Sequence, residues 1–136
     1  MAVDIRERDG SAPKVGKLLR FHEGEYMLRE GDANVDMFQI VTGKAEVYLG
    51  YGTKQETLIG IIKDGTCFGE FGMLLKKPAI YTVIAYTEVL VLRLTEGEMG
   101  DFIRENGRKV MGIMRNMANM LYSLKFKAQS QILCDG

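Results

Sequence analysis

The chain has 136 residues, 46% of them apolar and 26% charged, which suits one globular domain with a single sizeable core. Lys and Arg number 18, as do Asp and Glu, so no net field draws the chain to nucleic acid or to an anionic membrane. Residues 1–14 are polar, with Gly10, Ser11 and Pro13, and read as a loose arm without the apolar run of a secretion signal. From Leu18 to Leu94, short runs rich in Val, Ile, Tyr and Phe alternate with Gly-Asp, Thr-Gly-Lys and Lys-Asp-Gly turn signals. That punctuation belongs to an all-β domain. The predicted strands are Glu25–Arg29, Met37–Val41, Lys44–Leu49, Glu56–Ile62, Tyr81–Ala85 and Glu88–Leu94. In Lys44–Leu49, Ala45, Val47 and Leu49 alternate with Lys44, Glu46 and Tyr48, the period of a half-buried strand. Gly50 to Gln55 reads as the hairpin loop to the next strand.

After Leu94 the period changes. Thr95-Glu96-Gly97-Glu98 fits a capping box with Thr95 as N-cap and Glu98 at N3. A helix is predicted to follow and to bury Met99, Phe102 and Ile103, stopping at Asn106-Gly107. A second helix runs from about Arg108 to about Lys125. In it Val110, Ile113, Met117, Met120 and Leu124 fall at heptad-like spacings. Met111, Met114, Ala118 and Leu121 widen that face, which calls for two partners: the β-domain and a second copy of the chain. Arg108, Lys109, Arg115, Lys125 and Lys127 form a solvated face of the same helix. The expected organisation is an arm at 1–14, one domain at 15–127 and a tail at 128–136.

The functional candidates lie in Phe68-Gly69-Glu70-Phe71-Gly72-Met73-Leu74-Leu75-Lys76-Lys77-Pro78-Ala79. This stretch resembles the phosphate-binding cassette of cyclic-nucleotide-binding domains, the family of catabolite activator proteins and protein kinase A regulatory subunits. Gly24, Gly31, Gly43, Gly65 and Gly69 sit where that family places its turn glycines. The resemblance covers about residues 15–124. It implies a fold that is mainly β with C-terminal helices: an eight-stranded, jelly-roll-like β-roll, a short cassette helix and two C-terminal helices. It implies that Glu70 is the acceptor for a ribose 2′-OH. Phe68, Gly69, Phe71, Gly72, Met73, Ile80, Thr82 and Val83 would line the cassette and the pocket beside it. Gly69 and Gly72 would let a ligand approach the backbone closely. Val47, Ile59, Ile61 and Val83 are candidate walls for the base; alternation leaves open which of them face inward.

One position departs from the family. The arginine that holds the cyclic phosphate lies nine residues after the glutamate, and here that residue is Ala79. Losing a bidentate arginine–phosphate pair from a buried site costs about 2–5 kcal/mol. Lys76 or Lys77 could substitute as a point charge, without the planar fork of arginine. Ile80 and Tyr81, next to the vacant position, are large enough to fill the pocket themselves. The ligand is therefore cAMP, cGMP, another small anion or none, and no cofactor is required.

No nucleophile–base constellation can be assembled around His22, the one histidine, so neither catalysis nor a metal site is expected. Cys67 and Cys134 make no disulfide framework and fit a cytoplasmic setting. No run reaches the length of a membrane span, and the chain ends before a DNA-binding helix-turn-helix could follow the long helix. Two readings remain. One is a stand-alone regulatory sensor domain reporting to an unidentified protein; the other is a homodimeric interaction module that has lost nucleotide binding.

Overall fold

The computed structural model describes residues 3–4, 15–119 and 122. In chain order the strands are β1 (Val3–Asp4), β2 (Lys17–Phe21), β3 (Tyr26–Leu28), β4 (Met37–Thr42), β5 (Lys44–Leu49), β6 (Thr57–Lys63), β7 (Cys67–Phe68), β8 (Thr82–Ala85) and β9 (Val89–Leu94). Helix α1 (Glu70–Leu75) lies between β7 and β8, α2 (Met99–Glu105) follows β9, and a further helix, α3, spans 107–119. All strand pairs are antiparallel. One sheet has the order β1-β2-β9-β4-β7 and the other the order β3-β8-β5-β6.

The eight strands β2–β9 make the roll, and its core lies between the two sheets. Leu19, Phe21, Phe38, Ile40, Val89 and Val91 face Ala45, Val47, Val83 and Ala85 across it. Ala45, Val47 and their register partners Ala85 and Val83 share one face of β5 and β8, so the alternation read from the sequence is the alternation that packs. At the end of β5 it lapses, because Leu49 is exposed at the hairpin.

Three strands lay beyond sequence reading. In β2, Leu18 and Leu19 are both buried, which erases the period of two. The strand β7 has two residues and no pattern to show. Val3–Asp4, expected in a loose arm, instead pairs with Leu19 and Arg20 at the edge of the first sheet. In β6 the register shifts between Gly60 and Leu58. This β-bulge resets which residues face the core. Ile62 lies opposite Ala45, whereas Ile61 lies opposite Glu46 on the outer face.

The five family-matched turn glycines all have φ between 83° and 108°. Thr95 and Glu98 form the expected box, the Thr95 N–H and hydroxyl both donating to Glu98 Oε1 at 3.0 and 2.9 Å. It opens a 3-10 turn at Glu96–Glu98 that runs into α2. Phe102 is fully buried, but Ile103, expected beside it, is 47% exposed.

By its contacts the chain divides into two compact units, Met1–Phe102 and Ile103–Gly136. Within the second, α3 begins as Val110 N–H donates to Asn106 O. Val110, Ile113 and Met117 are half-buried along it, while Met111 and Met114 are exposed. Met120 and Leu124 of the expected seam lie outside the described residues. Among the described residues, no helix is long and apolar enough to cross a membrane.

Candidate functional site

The cassette grows out of β7. Phe68 is held by pairing with Phe38 of β4, and the two rings stack at 5.1 Å between centroids and 13° between planes. Gly69 then turns the chain into α1 with φ 83° and ψ 2°, a left-handed conformation that strains residues with a Cβ. Its N–H donates to the Tyr81 hydroxyl at 3.1 Å. Glu70 opens the helix. Among the described residues its Oε2 is buried without a hydrogen-bond partner, and burial raises the carboxyl pKa, partly offset by a hydrogen bond from its own backbone N–H.

Gly69 and Gly72 have a structural use of their own. A Cβ on Gly72 would collide with the backbone carbonyl of Asn34, and one on Gly69 would lie 2.9 Å from Asp36 O. On the side where a Cβ would project, the space at both glycines is filled by the 34–36 loop. Asn34 secures this contact, its Nδ2 donating to Asp36 O at 2.7 Å and to Gly69 O at 3.3 Å. Sequence reading missed Asn34, since one asparagine in a loop carries no signal of what it touches 35 residues later.

Met73 is buried, while Leu74 and Leu75 are exposed; Phe71 lies in α1 between Glu70 and Gly72. Lys76 ends the helix with φ 56°, its N–H donating to Gly72 O at 3.1 Å. Its ammonium is paired with Glu96. Lys77 is exposed.

Ala79 is buried in the roll's core. It clips this segment to the β3–β4 turn, its N–H donating to Asp32 O at 2.9 Å and its carbonyl accepting from Gly31 N–H at 2.7 Å. The next two residues part company: Ile80 is 47% exposed, and Tyr81 packs against the core. The Tyr81 pKa is pushed up to about 12, by burial first and then by the Glu70 charge, against the opposing pull of the Gly69 N–H. The phenol therefore covers the amide that starts the cassette and feels the charge of Glu70.

Beyond it, Thr82 faces away from the core and accepts the Glu30 N–H at 3.1 Å through Oγ1. Val83 is fully buried opposite Val47. Of the four candidate walls, Val47 and Val83 face inward. Ile61 faces outward and Ile59 sits at the bulge, at 57% and 50% exposure; Ile62 takes the inward position. An open cleft of about 400 Å³ runs along β3, lined by Glu25, Tyr26, Met27, Leu28, Arg29 and Asp32. The Arg29 guanidinium lies 3.9 Å over the Tyr26 ring. His22 is exposed and meets Glu88 at 3.1 Å.

A two-sheet antiparallel roll, broken after β7 by a Phe-Gly-Glu helix, is the architecture expected from the cassette. The family model for the cyclic nucleotide-binding domain matches residues 18–106, more than half of the chain. The chain belongs to the cyclic-nucleotide-binding domain family. It is similar to the cAMP-dependent protein kinase regulatory subunit of Emericella nidulans, 29% identical over 99 residues that make up 73% of this chain and 21% of that protein. Among solved structures it resembles the catabolite activator protein of Thermus thermophilus, with a TM-score of 0.72 and 17% identity over 84% of this chain and 54% of the other. A cyclic nucleotide-binding domain from Methylobacillus flagellatus gives a TM-score of 0.62 and 17% identity, over 88% of this chain and 67% of the other. The chain thus spans about a fifth of its curated relative and about half of the activator protein. Domains of this family are regulatory binding modules, and the β-roll here is theirs.

Proposed function

We propose that this chain is a regulatory sensor domain that keeps the family's acceptor at Glu70 but does not hold cAMP or cGMP by an arginine–phosphate pair. The reading rests on the position of Tyr81. Its phenol covers the Gly69 N–H beside Glu70, while Ala79 turns its methyl into the core. A cyclic phosphate reaching the Gly69 N–H meets a phenol, and position 79 offers a methyl where the family offers a guanidinium. Of the possible substitutes, Lys76 is engaged with Glu96, which leaves Lys77. The proposed site comprises Phe68, Gly69, Glu70, Phe71, Gly72, Met73, Ala79, Ile80, Thr82 and Val83, within a regulatory domain at 15–127. The reading assigns no catalysis and places the domain in the cytoplasm.

Calorimetric titration with cAMP, cGMP and cyclic dinucleotides tests this. Losing the arginine pair costs on the order of 30- to several-thousand-fold in affinity, so cAMP binding should be near millimolar. The Tyr81→Ala, Ala79→Arg double variant should gain at least tenfold. Micromolar cAMP binding by the unaltered chain would overturn the reading.

The exposed Met111 and Met114, beside half-buried Val110, Ile113 and Met117 on α3, favour a second reading: a homodimeric interaction module. In it α3 pairs with its copy, and the roll meets a downstream protein without nucleotide.

A further inference from the structure

Strand β6 is the longest strand described and the edge of its sheet, pairing only with β5 among the described residues. Its outward row of N–H and C=O groups is of the kind that recruits another strand. Natural edges are usually blunted by proline, by charge, by shortness or by a bulge; of these, β6 has the bulge at Ile59. This one, Thr57-Leu58-Ile59-Gly60-Ile61-Ile62-Lys63, has no proline and one charge, at its end. Leu58, Ile59 and Ile61 are 49%, 50% and 57% exposed. The opposite edge strand of the sheet, β3, has three residues.

The bulge makes this edge self-complementary. Because the register shifts between Gly60 and Leu58, Leu58 lies opposite Tyr48 and Ile61 opposite Glu46, so both share the outer face. Consider a second copy related by a two-fold axis between Ile59 and Gly60. Antiparallel pairing then places Leu58 opposite the copy's Ile61 and Thr57 opposite its Ile62. Each of these pairs lies on one face, the first outward and the second inward. The same register brings Glu56 opposite Lys63 at both ends of the contact, an attractive cross-strand pair made twice. Shifting by one residue, with Gly60 on the axis, sets outward Leu58 against inward Ile62 and Glu56 against Asp64. One register thus satisfies facing and charge together, and the shifted one fails on both.

We infer that β6 is a self-association edge, through which two copies of this chain join their four-stranded sheets into one of eight strands. Tyr48 and Tyr51, whose rings lie 4.8 Å apart, extend the outer apolar surface from Leu58. The occupant is a second copy rather than a foreign strand because the end charges match the strand's own reversed sequence.

Sedimentation velocity on the full chain, over a concentration range up to hundreds of micromolar, tests the edge. Ile61→Lys places a charge opposite Leu58 of the copy and should lower the weight-average mass at the top of the range. Lys63→Glu, which opposes two carboxylates, should do the same. Adding Glu56→Lys to Lys63→Glu recreates the pair in reverse and should restore the association. Circular dichroism of each variant separates failed folding from failed pairing. If Ile61→Lys and the unaltered chain keep the same mass at every concentration, the edge serves a strand of another protein or none, and the inference is overturned. Failure of the charge-swapped variant to recover overturns the proposed register. Neither result touches the cassette, which is read by nucleotide titration alone.

Discussion

Tyr81 is the residue on which the cassette turns, and its titration makes its position measurable. A phenol held up to about 12 by burial and by Glu70 binds its proton more tightly in the folded chain than in the unfolded one. The stability it contributes, on the order of 3 kcal/mol, is complete below pH 10 and lost as pH rises towards 12. Urea denaturation should therefore show an alkaline decline in the unaltered chain that is reduced in Tyr81→Phe. Glu70→Gln removes the neighbouring charge, so a 295 nm absorbance titration should find the late-ionising tyrosine moved towards the others. Glu70 follows the same sign: its raised carboxyl pKa means that ionisation opposes folding. Glu70→Gln should be more stable than the unaltered chain at neutral pH, and the difference should vanish in acid below the unfolded carboxyl pKa. An unchanged alkaline limb in Tyr81→Phe would remove the phenol from the position assigned to it. Size alone offered both Ile80 and Tyr81 as residues to fill the space beside Ala79, and only Tyr81 packs against the core. Which of them would do so was not legible, because the choice depends on the Gly69 N–H, made available by a left-handed turn twelve residues away.

At the scale of elements, the capping box ties the end of the roll to its beginning. Glu98 Oε1 takes the Thr95 N–H and hydroxyl, and Oε2 takes the Gly16 N–H at 2.9 Å, just before β2. The Thr95 N–H holds the Glu98 carboxyl below its usual range; the Thr95 hydroxyl, the Gly16 N–H and Arg93 add to this, and burial opposes it. A depressed carboxylate pKa contributes stability that is present above the unfolded value and lost as pH falls through the folded one. Glu98→Ala should cost about 1 kcal/mol at neutral pH, as capping residues do, and less in acid; equal losses at pH 7 and pH 3 would count against the box. The box was readable from Thr95 and Glu98 because its partners are three residues apart. Its third partner, Gly16, is 82 residues away and left no mark in the local pattern. The bulge in β6 is the same lesson inverted. It inserts Ile59 between Leu58 and Gly60, so the two halves of β6 do not share one alternation, and nothing in Leu58-Ile59-Gly60 except the glycine hints at it.

For the whole molecule the question is how many copies act together. The chain offers two apolar features of different kind, the half-buried row Val110, Ile113 and Met117 on α3 and the open edge of β6, and in the readings proposed above each would pair with its own counterpart. A single two-fold contact closes at a dimer. Two different two-fold contacts on one chain do not close unless their axes fall into a common point group, so assembly continues with concentration. Light scattering can separate the cases. If α3 is the dimer seam, Ile113→Lys, which places a charge among Val110 and Met117, should abolish the species that forms at tens of micromolar. It should leave whatever Ile61→Lys affects at higher concentration. The two substitutions combined should yield a monomer throughout. Because Ile113 is half-buried, circular dichroism must first show that α3 remains helical in the variant. A monomeric mass for the unaltered chain at tens of micromolar would eliminate the α3 seam while leaving the edge open to its own test. If Ile113→Lys alone gave a monomer at every concentration, the edge would have no association of its own, and the sensor would reduce to a dimer joined by one helix.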